Sequence, residues 1–338
     1  MDDVAHARLH GGPDAQGVPP RDFSTNSNAC GPCPGALAAV RAADASRYPD
    51  AGYSRLRGQL AAFHEVDIGR VVLAASASEF IFRITAAAVQ QGAQAVWIPA
   101  HAYGDYAQAA RAHGLAVTPE AGNARLLWAC EPGSPSGAAQ SGLADMVDRA
   151  RPGDIIVLDR AYEPLRLRGA PSLGARALDG VWQLWTPNKA LGLTGVRAAY
   201  ALAPVGAGHT VAALNRFCPS WPVGAHGVAL LQAWTGSDAR QWLAESLPVL
   251  RGWKDRQVRL FEESLGWRCA TGETSFFCAI PALPAAISLG DVLAALRARG
   301  IKLRETTSFG LPGRVRVSVQ PPAAQDALCV AWRQIMGA

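Results

Sequence analysis

Thr186-Pro187-Asn188-Lys189-Ala190-Leu191-Gly192-Leu193-Thr194-Gly195-Val196-Arg197 is the stretch on which the reading of this chain turns. It follows the apolar run Val181-Trp182-Gln183-Leu184-Trp185, which has the composition of a buried strand, and its two glycines mark a turn. A lysine at that junction is placed as a Schiff-base lysine is. Crowding by apolar groups makes an amine easier to deprotonate, and the free amine attacks an aldehyde. Thr186 and Arg197 flank it with a hydroxyl and a guanidinium, both suited to phosphate. Taken alone, the same pattern also describes a surface loop with a solvated lysine, because most lysines are exposed.

Working outward, apolar runs alternate with helical patterns from about residue 54 to 205. Val71-Val72-Leu73-Ala74 is followed by a helical stretch from Glu79 to Gln91, and Ala95-Val96-Trp97-Ile98 by one from Tyr106 to His113. Residues 124–129 precede a helix from Gly142 to Ala150; then come strand runs at 154–158, 181–185 and 198–202. Near-continuous apolar strands interleaved with helices predict a mostly parallel central sheet with helices on both faces. In such sheets ligands sit beyond the carboxyl ends of the strands. After about 208 the pattern changes. Residues 211–216 and 227–263 are helical and amphipathic with Pro248 as a predicted break, and short strands at 275–280 and 314–319 surround a helix at 291–299. This predicts a smaller α+β domain.

Composition narrows the class. The chain has 338 residues, 49% hydrophobic and 17% charged, which suits a globular enzyme with a large core. A net charge of +5 with scattered arginines and no basic block argues against nucleic acid. The start, Met1-Asp2-Asp3, is acidic with no apolar run after it, which predicts no signal peptide, and no run reaches the roughly 18 apolar residues of a membrane span. Seven cysteines, an odd number, suit a reducing cytoplasm. Cys30-Gly31-Pro32-Cys33 has thioredoxin-like spacing, but polar loop formers (22–28) precede it and no second pair exists to complete a zinc site. Those thiols read as incidental to a turn, and no metal is expected.

The strand ends carry the chemistry. Ser76-Ala77-Ser78-Glu79 is a capping box at a helix start, and free amides with a positive dipole end also hold a phosphate. Tyr103, in His101-Ala102-Tyr103-Gly104-Asp105-Tyr106, stacks on a planar ring or, with Tyr106, covers the sheet edge. Asp159-Arg160-Ala161-Tyr162 follows a buried run, and a carboxylate there is costly without a cationic or protonated partner; a pyridinium N–H is one, and a capped turn is the plainer use.

Taken together these runs resemble the fold type I pyridoxal-phosphate enzymes, class I/II aminotransferase superfamily, in the branch of histidinol-phosphate aminotransferase and threonine-phosphate decarboxylase. The resemblance rests on Tyr-Pro-Asp-x-x-Tyr (48–53), Ser-Glu (78–79), Tyr-x-x-Tyr (103–106), Glu-Pro-Gly-Ser-Pro-Ser-Gly (131–137), Asp-x-Ala-Tyr (159–162), Lys-Ala-Leu-Gly-Leu-x-Gly-x-Arg (189–197) and Arg-Val-x-Val (316–319). It implies an N-terminal arm (1–40) joining the small domain, a large cofactor domain (41–207) and a small C-terminal α+β domain (208–338). It implies pyridoxal 5'-phosphate bound to Lys189, with Asp159 at the ring nitrogen, Tyr162 at the 3-oxygen and Tyr103 stacked on the ring. Ala77, Ser78, Thr186 and Arg197 would hold the cofactor phosphate. Tyr53 would reach it from the neighbouring subunit of a homodimer, and Arg316 would clamp the substrate carboxylate. Ser134 stands where the family places an asparagine that donates to the 3-oxygen, and Arg160 occupies the second place of the family's Asp-Glu-Ala-Tyr.

The arm separates the members of the branch. His10-Gly11-Gly12 and Asp22-Phe23-Ser24-Thr25-Asn26-Ser27-Asn28 resemble the opening of threonine-phosphate decarboxylase, as do 300–304 and 307–311. This implies that His10, Asn26 and Arg304 bind a small phosphorylated amino acid. It also implies decarboxylation of L-threonine O-3-phosphate to aminopropanol phosphate, in cobalamin biosynthesis. The alternative is an aminotransferase of the histidinol-phosphate type, since one lysine serves either outcome.

Overall fold

The computed structural model describes residues 10–337. Its centre is a seven-stranded sheet in the order Val71–Ala74, Ala199–Leu202, Trp182–Trp185, Ile155–Asp159, Leu126–Cys130, Ala95–Trp97, Ala116–Thr118. Ala199–Leu202 is antiparallel to both neighbours and every other pairing is parallel. The five strands from Val71–Ala74 to Leu126–Cys130 in that order are buried at every residue, which is why they read as unbroken apolar runs.

Alternation along the strands builds a core on each face. Val71 and Leu73 point into one cluster with Tyr200, Leu202 and Trp185, covered by helices Pro34–Arg41, Ser54–His64 and Ala225–Thr235. Val72 and Ala74 point the other way, joining Trp128, Trp182 and Leu184 under helices Ala77–Gln90, Gly104–Ala112 and Gly208–Phe217. A four-stranded antiparallel sheet, Arg304–Glu305, Val315–Ser318, Phe276–Ile280 and Arg268–Ala270, forms a separate core with helices Leu289–Ala298 and Pro322–Met336. The arm is tied to this part of the chain: Arg21–Asp22 pairs in parallel with Ile301–Lys302, and Phe23 is wholly buried in the same core.

One expectation is corrected. Pro248 does not break the long helix; Ser237–Leu265 runs through it. The break falls at Gly236, whose extended backbone separates this helix from Ala225–Thr235. A proline costs the helix one hydrogen bond. Burial of Leu243, Leu250, Phe261 and Leu265 along the same helix offsets that loss.

Candidate active site

Strand register puts the chemistry on one edge. Cys130 pairs with Asp159, and Asp159 with Leu184, so three strands end level and the loop carrying Thr186 and Lys189 leaves from the same side. Gly192 turns that loop at φ +68°, and a Cβ there would lie 2.5 Å from the Gly31 carbonyl oxygen, so only glycine fits. A cavity of about 480 Å³ opens at this edge. His10, Asn26, Ala77, Ser78, Tyr103, Ser134, Asp159, Tyr162, Thr186, Lys189, Arg197, Arg304 and Arg316 all line it.

Tyr53 does not. It is buried, and its hydroxyl donates to the Val223 carbonyl at 2.8 Å and accepts from the Val223 amide at 3.2 Å. Within the described chain its hydroxyl is engaged by the Val223 backbone; the reach expected of Tyr53 concerns the site of a neighbouring subunit. Arg160 likewise faces away from the cavity. It donates to Gln183 at 2.9 Å and lies over the Trp185 ring at 4.5 Å.

Asp159 is the buried acid of the site. Its Oδ2 accepts a 2.7 Å hydrogen bond from the Tyr106 hydroxyl, and its Oδ1 a 2.9 Å bond from the Ala161 amide. Burial pushes its pKa up, while these two donors and the nearby Lys189 charge pull it back. Half-buried Lys189 lies with Nζ 5.4 Å from the centre of the Tyr162 ring. At the helix start beside them, Ser76 accepts from the Glu79 amide and Ser78 Oγ lies 3.2 Å from the Tyr103 hydroxyl. Thr186 donates to Asn188 at 2.7 Å.

The opposite partners of the cavity come from the antiparallel sheet and the arm. Arg304 and Arg316 face each other across one strand pair, both buried, with the Phe309 ring 5.0 and 5.8 Å from their guanidinium carbons. Burial, and then the neighbouring Arg316, lower the Arg304 pKa to about 10. Arg304 donates to Ser308 at 2.6 Å; Arg316 donates to Ser134 at 2.9 Å and to the Ser24 carbonyl at 2.7 Å. Asn26 is buried with neither amide atom hydrogen-bonded among the described residues. Gly11 brings the arm so close that a Cβ would lie 2.0 Å from the Ser24 carbonyl oxygen.

Sequence reading missed Tyr106 as the partner of Asp159, and it missed Ser24, Ser308 and Phe309 as cavity residues. Tyr106 carried a signal: it lies three residues after Tyr103, on the same face of the helix start. Phe309 carried none, because its place depends on the register between two distant strands.

A family model described as aminotransferase class I and II matches residues 21–331. A histidinol-phosphate aminotransferase of Halorubrum lacusprofundi is 28% identical over 333 residues, covering 90% of this chain and 86% of its own. Among solved structures, the histidinol-phosphate aminotransferase of Sinorhizobium meliloti in complex with pyridoxal-5'-phosphate superposes with a TM-score of 0.80 at 21% identity, over 93% of this chain and 89% of that one. The L-threonine-O-3-phosphate decarboxylase of Porphyromonas gingivalis superposes with a TM-score of 0.74 at 19% identity, over 94% and 99%. At these identities the two superpositions speak for the fold.

Proposed function

The chain belongs to the aminotransferase class I and II family, and we propose that it is an aminotransferase of the histidinol-phosphate type, acting on a small amine or amino acid that carries a phosphate. It is a pyridoxal-phosphate-dependent enzyme of fold type I. The residues fit that cofactor. Asp159 is a carboxylate buried without an ion-pair partner among the described residues, which suits a protonated pyridine nitrogen. Ala77 and Ser78 open a 14-residue helix whose free amides, with Thr186 and Arg197, suit a phosphate. Tyr103 would lie on the ring, and Tyr162 with Ser134 would serve its 3-oxygen. When bound, the cofactor supplies an aldehyde and an electron-withdrawing ring.

This chain's own residues do the rest. Lys189 Nζ would hold the cofactor's aldehyde and would be the amine that moves the proton at the substrate α-carbon. Tyr106 and the Ala161 amide orient Asp159 and favour its ionised form against the effect of burial. Arg316 and Arg304 hold the anionic ends of the substrate, and Phe309 keeps the two like charges side by side. The carrying observation is Arg316, a buried guanidinium that no carboxylate among the described residues pairs, in the same cavity as Lys189. A phosphate monoester and a dicarboxylate amino donor both meet that demand in turn.

The curated relatives move the reading from decarboxylation, expected from the arm, to transamination. One observation favours the second reading, a decarboxylase for L-threonine O-3-phosphate: His10 and the unpartnered amide of Asn26 line the cavity. The two are separated in one experiment. Glutamate added to the cofactor-loaded protein, followed by absorbance, converts an aminotransferase to its amine form. Carbon dioxide released from O-phosphothreonine with no such conversion assigns the decarboxylase instead. We propose a homodimer in either case, with Tyr53 reaching the second site only after its bond to Val223 opens.

A further inference from the structure

Arg316 lies within a strand and is buried except where it lines the cavity, so how its fork is held decides what it can grip. Two groups hold it, from two separate segments. The Ser24 carbonyl of the arm accepts from Nη2 at 2.7 Å, and the Ser134 hydroxyl accepts from Nη1 at 2.9 Å. Nε is buried with no partner among the described residues. Of the five N–H donors of a guanidinium, three therefore remain for a ligand, Nε among them. Neither anchor carries charge, so both orient the cation without neutralising it. A carboxylate at position 134 would form an ion pair and remove the attraction for an anionic ligand.

Ser134 is itself buried, in the loop between Cys130 and Gly137, where both X–Pro bonds are cis. That loop is fastened from behind. The buried Glu131 carboxylate accepts from the Ser172 amide and hydroxyl at 2.7 Å each, and pairs with Arg166 at 3.3 Å. Ser134 is thus a fixed acceptor on the large sheet's edge, meeting a guanidinium that belongs to the other sheet.

We propose that Ser134 is a positioning residue for substrate recognition: its hydroxyl fixes the Arg316 fork so that Nε and the free Nη N–H groups meet the substrate carboxylate together. This goes beyond the cofactor contact assigned to Ser134 above, and it rests on the reading of Arg316 as the carboxylate clamp. Once the hydroxyl accepts from Arg316, it keeps one proton of its own to donate into the cavity. Loss of the hydroxyl leaves Nη1 without an acceptor and the fork free to rotate, at a cost comparable to one hydrogen bond to a charged group.

The test uses cofactor-loaded protein and succinate, a plain dicarboxylate, with its dissociation constant measured by calorimetry. Ser134→Ala is expected to weaken succinate about tenfold, and Ser134→Thr, which restores a hydroxyl, to recover most of that loss. Cofactor affinity, from absorbance titration of the apoprotein, is expected to change less than succinate affinity in Ser134→Ala. If Arg316→Met loses succinate and Ser134→Ala does not, the assignment of Ser134 is wrong while the clamp stands. If Arg316→Met binds succinate as well as the unaltered protein does, the clamp reading fails and takes this assignment with it. Circular dichroism melts of each variant show that the comparison is between folded proteins.

Discussion

The Tyr106 hydroxyl donates to Asp159 Oδ2 at 2.7 Å while the Tyr106 ring lies flat on Trp128, with centroids 4.3 Å apart and planes 11° from parallel. The stack fixes the ring, and the ring fixes the hydrogen bond, so an acid at a strand end is aimed by residues of two other elements. Replacing Tyr106 with Phe keeps the stack and removes the donor. A hydrogen bond to a buried carboxylate is worth about 1.5–3 kcal/mol, so Asp159 takes up a proton more readily and pairs less well with a ring nitrogen. Tyr106→Phe is expected to bind pyridoxal phosphate about tenfold more weakly or worse, read by absorbance titration of the apoprotein.

A second prediction concerns acid stability. His64 Nε2 lies 2.7 Å from the Tyr200 hydroxyl, which accepts from Trp234 Nε1 at 3.0 Å and so donates to a neutral imidazole. Burial, and then the charge of Arg160, lower the His64 pKa to about 4. An unfolded histidine titrates near 6.5. Between those values the unfolded chain binds the proton and the folded chain does not, so stability falls as pH drops from about 6.5 toward about 4. The loss is on the order of 3 kcal/mol at most. Urea midpoints across that window are expected to decline, and the His64→Phe variant to show a flatter profile.

Arg166 gathers three acids: Glu131 at 3.3 Å, Glu163 at 2.8 Å and Glu273. Glu163 follows Tyr162 directly, Glu131 opens the Ser134 loop, and Glu273 precedes the strand Phe276–Ile280, so one guanidinium joins both sheets behind the cavity. Removing it leaves a buried carboxylate without its cation, a change that costs about 3 kcal/mol or more. Arg166→Ala is expected to lose that much in denaturant unfolding, with cofactor uptake weakened as the two loops loosen.

Asp14 ties the arm down. It accepts from Arg297 at 2.7 and 2.9 Å and pairs with Lys302 at 2.9 Å, and Lys302 also donates to the Gly12 carbonyl. His10 and Gly11 line the cavity just before this knot. Asp14→Asn is expected to speed hydrogen exchange in the arm and raise the KM for the phosphorylated substrate with little change in kcat, because the chemistry at Lys189 is untouched.

Much of this was legible beforehand because the signals were local. Lys189, Asp159 and Ser78 each sit where an apolar run ends, and ends of parallel strands collect on one edge by topology alone. Ala199–Leu202 read as one more strand, but its reversed direction depends on how the chain returns after Arg197, which no side-chain pattern records. Pro248 read as a break because propensity weighs one residue, whereas the helix through it is held by its whole apolar face. Tyr53 is read along the chain only as part of the Tyr-Pro-Asp-x-x-Tyr motif, whereas its left-handed conformation at φ 50° and the bond of its buried hydroxyl to the Val223 carbonyl depend on a segment 170 residues away. The Arg304–Phe309–Arg316 stack comes from pairing across a sheet, so neither its distances nor its shared burial could be read along the chain.

The central claim is that Lys189 is the amine that holds pyridoxal phosphate. Protein purified with the cofactor, reduced with borohydride and digested, is to be mapped by peptide mass. The account predicts a reduced pyridoxyl-phosphate adduct on the peptide containing Lys189, with loss of the cofactor's visible absorbance. An adduct on another lysine, or none in protein that has been saturated with the cofactor, would contradict it.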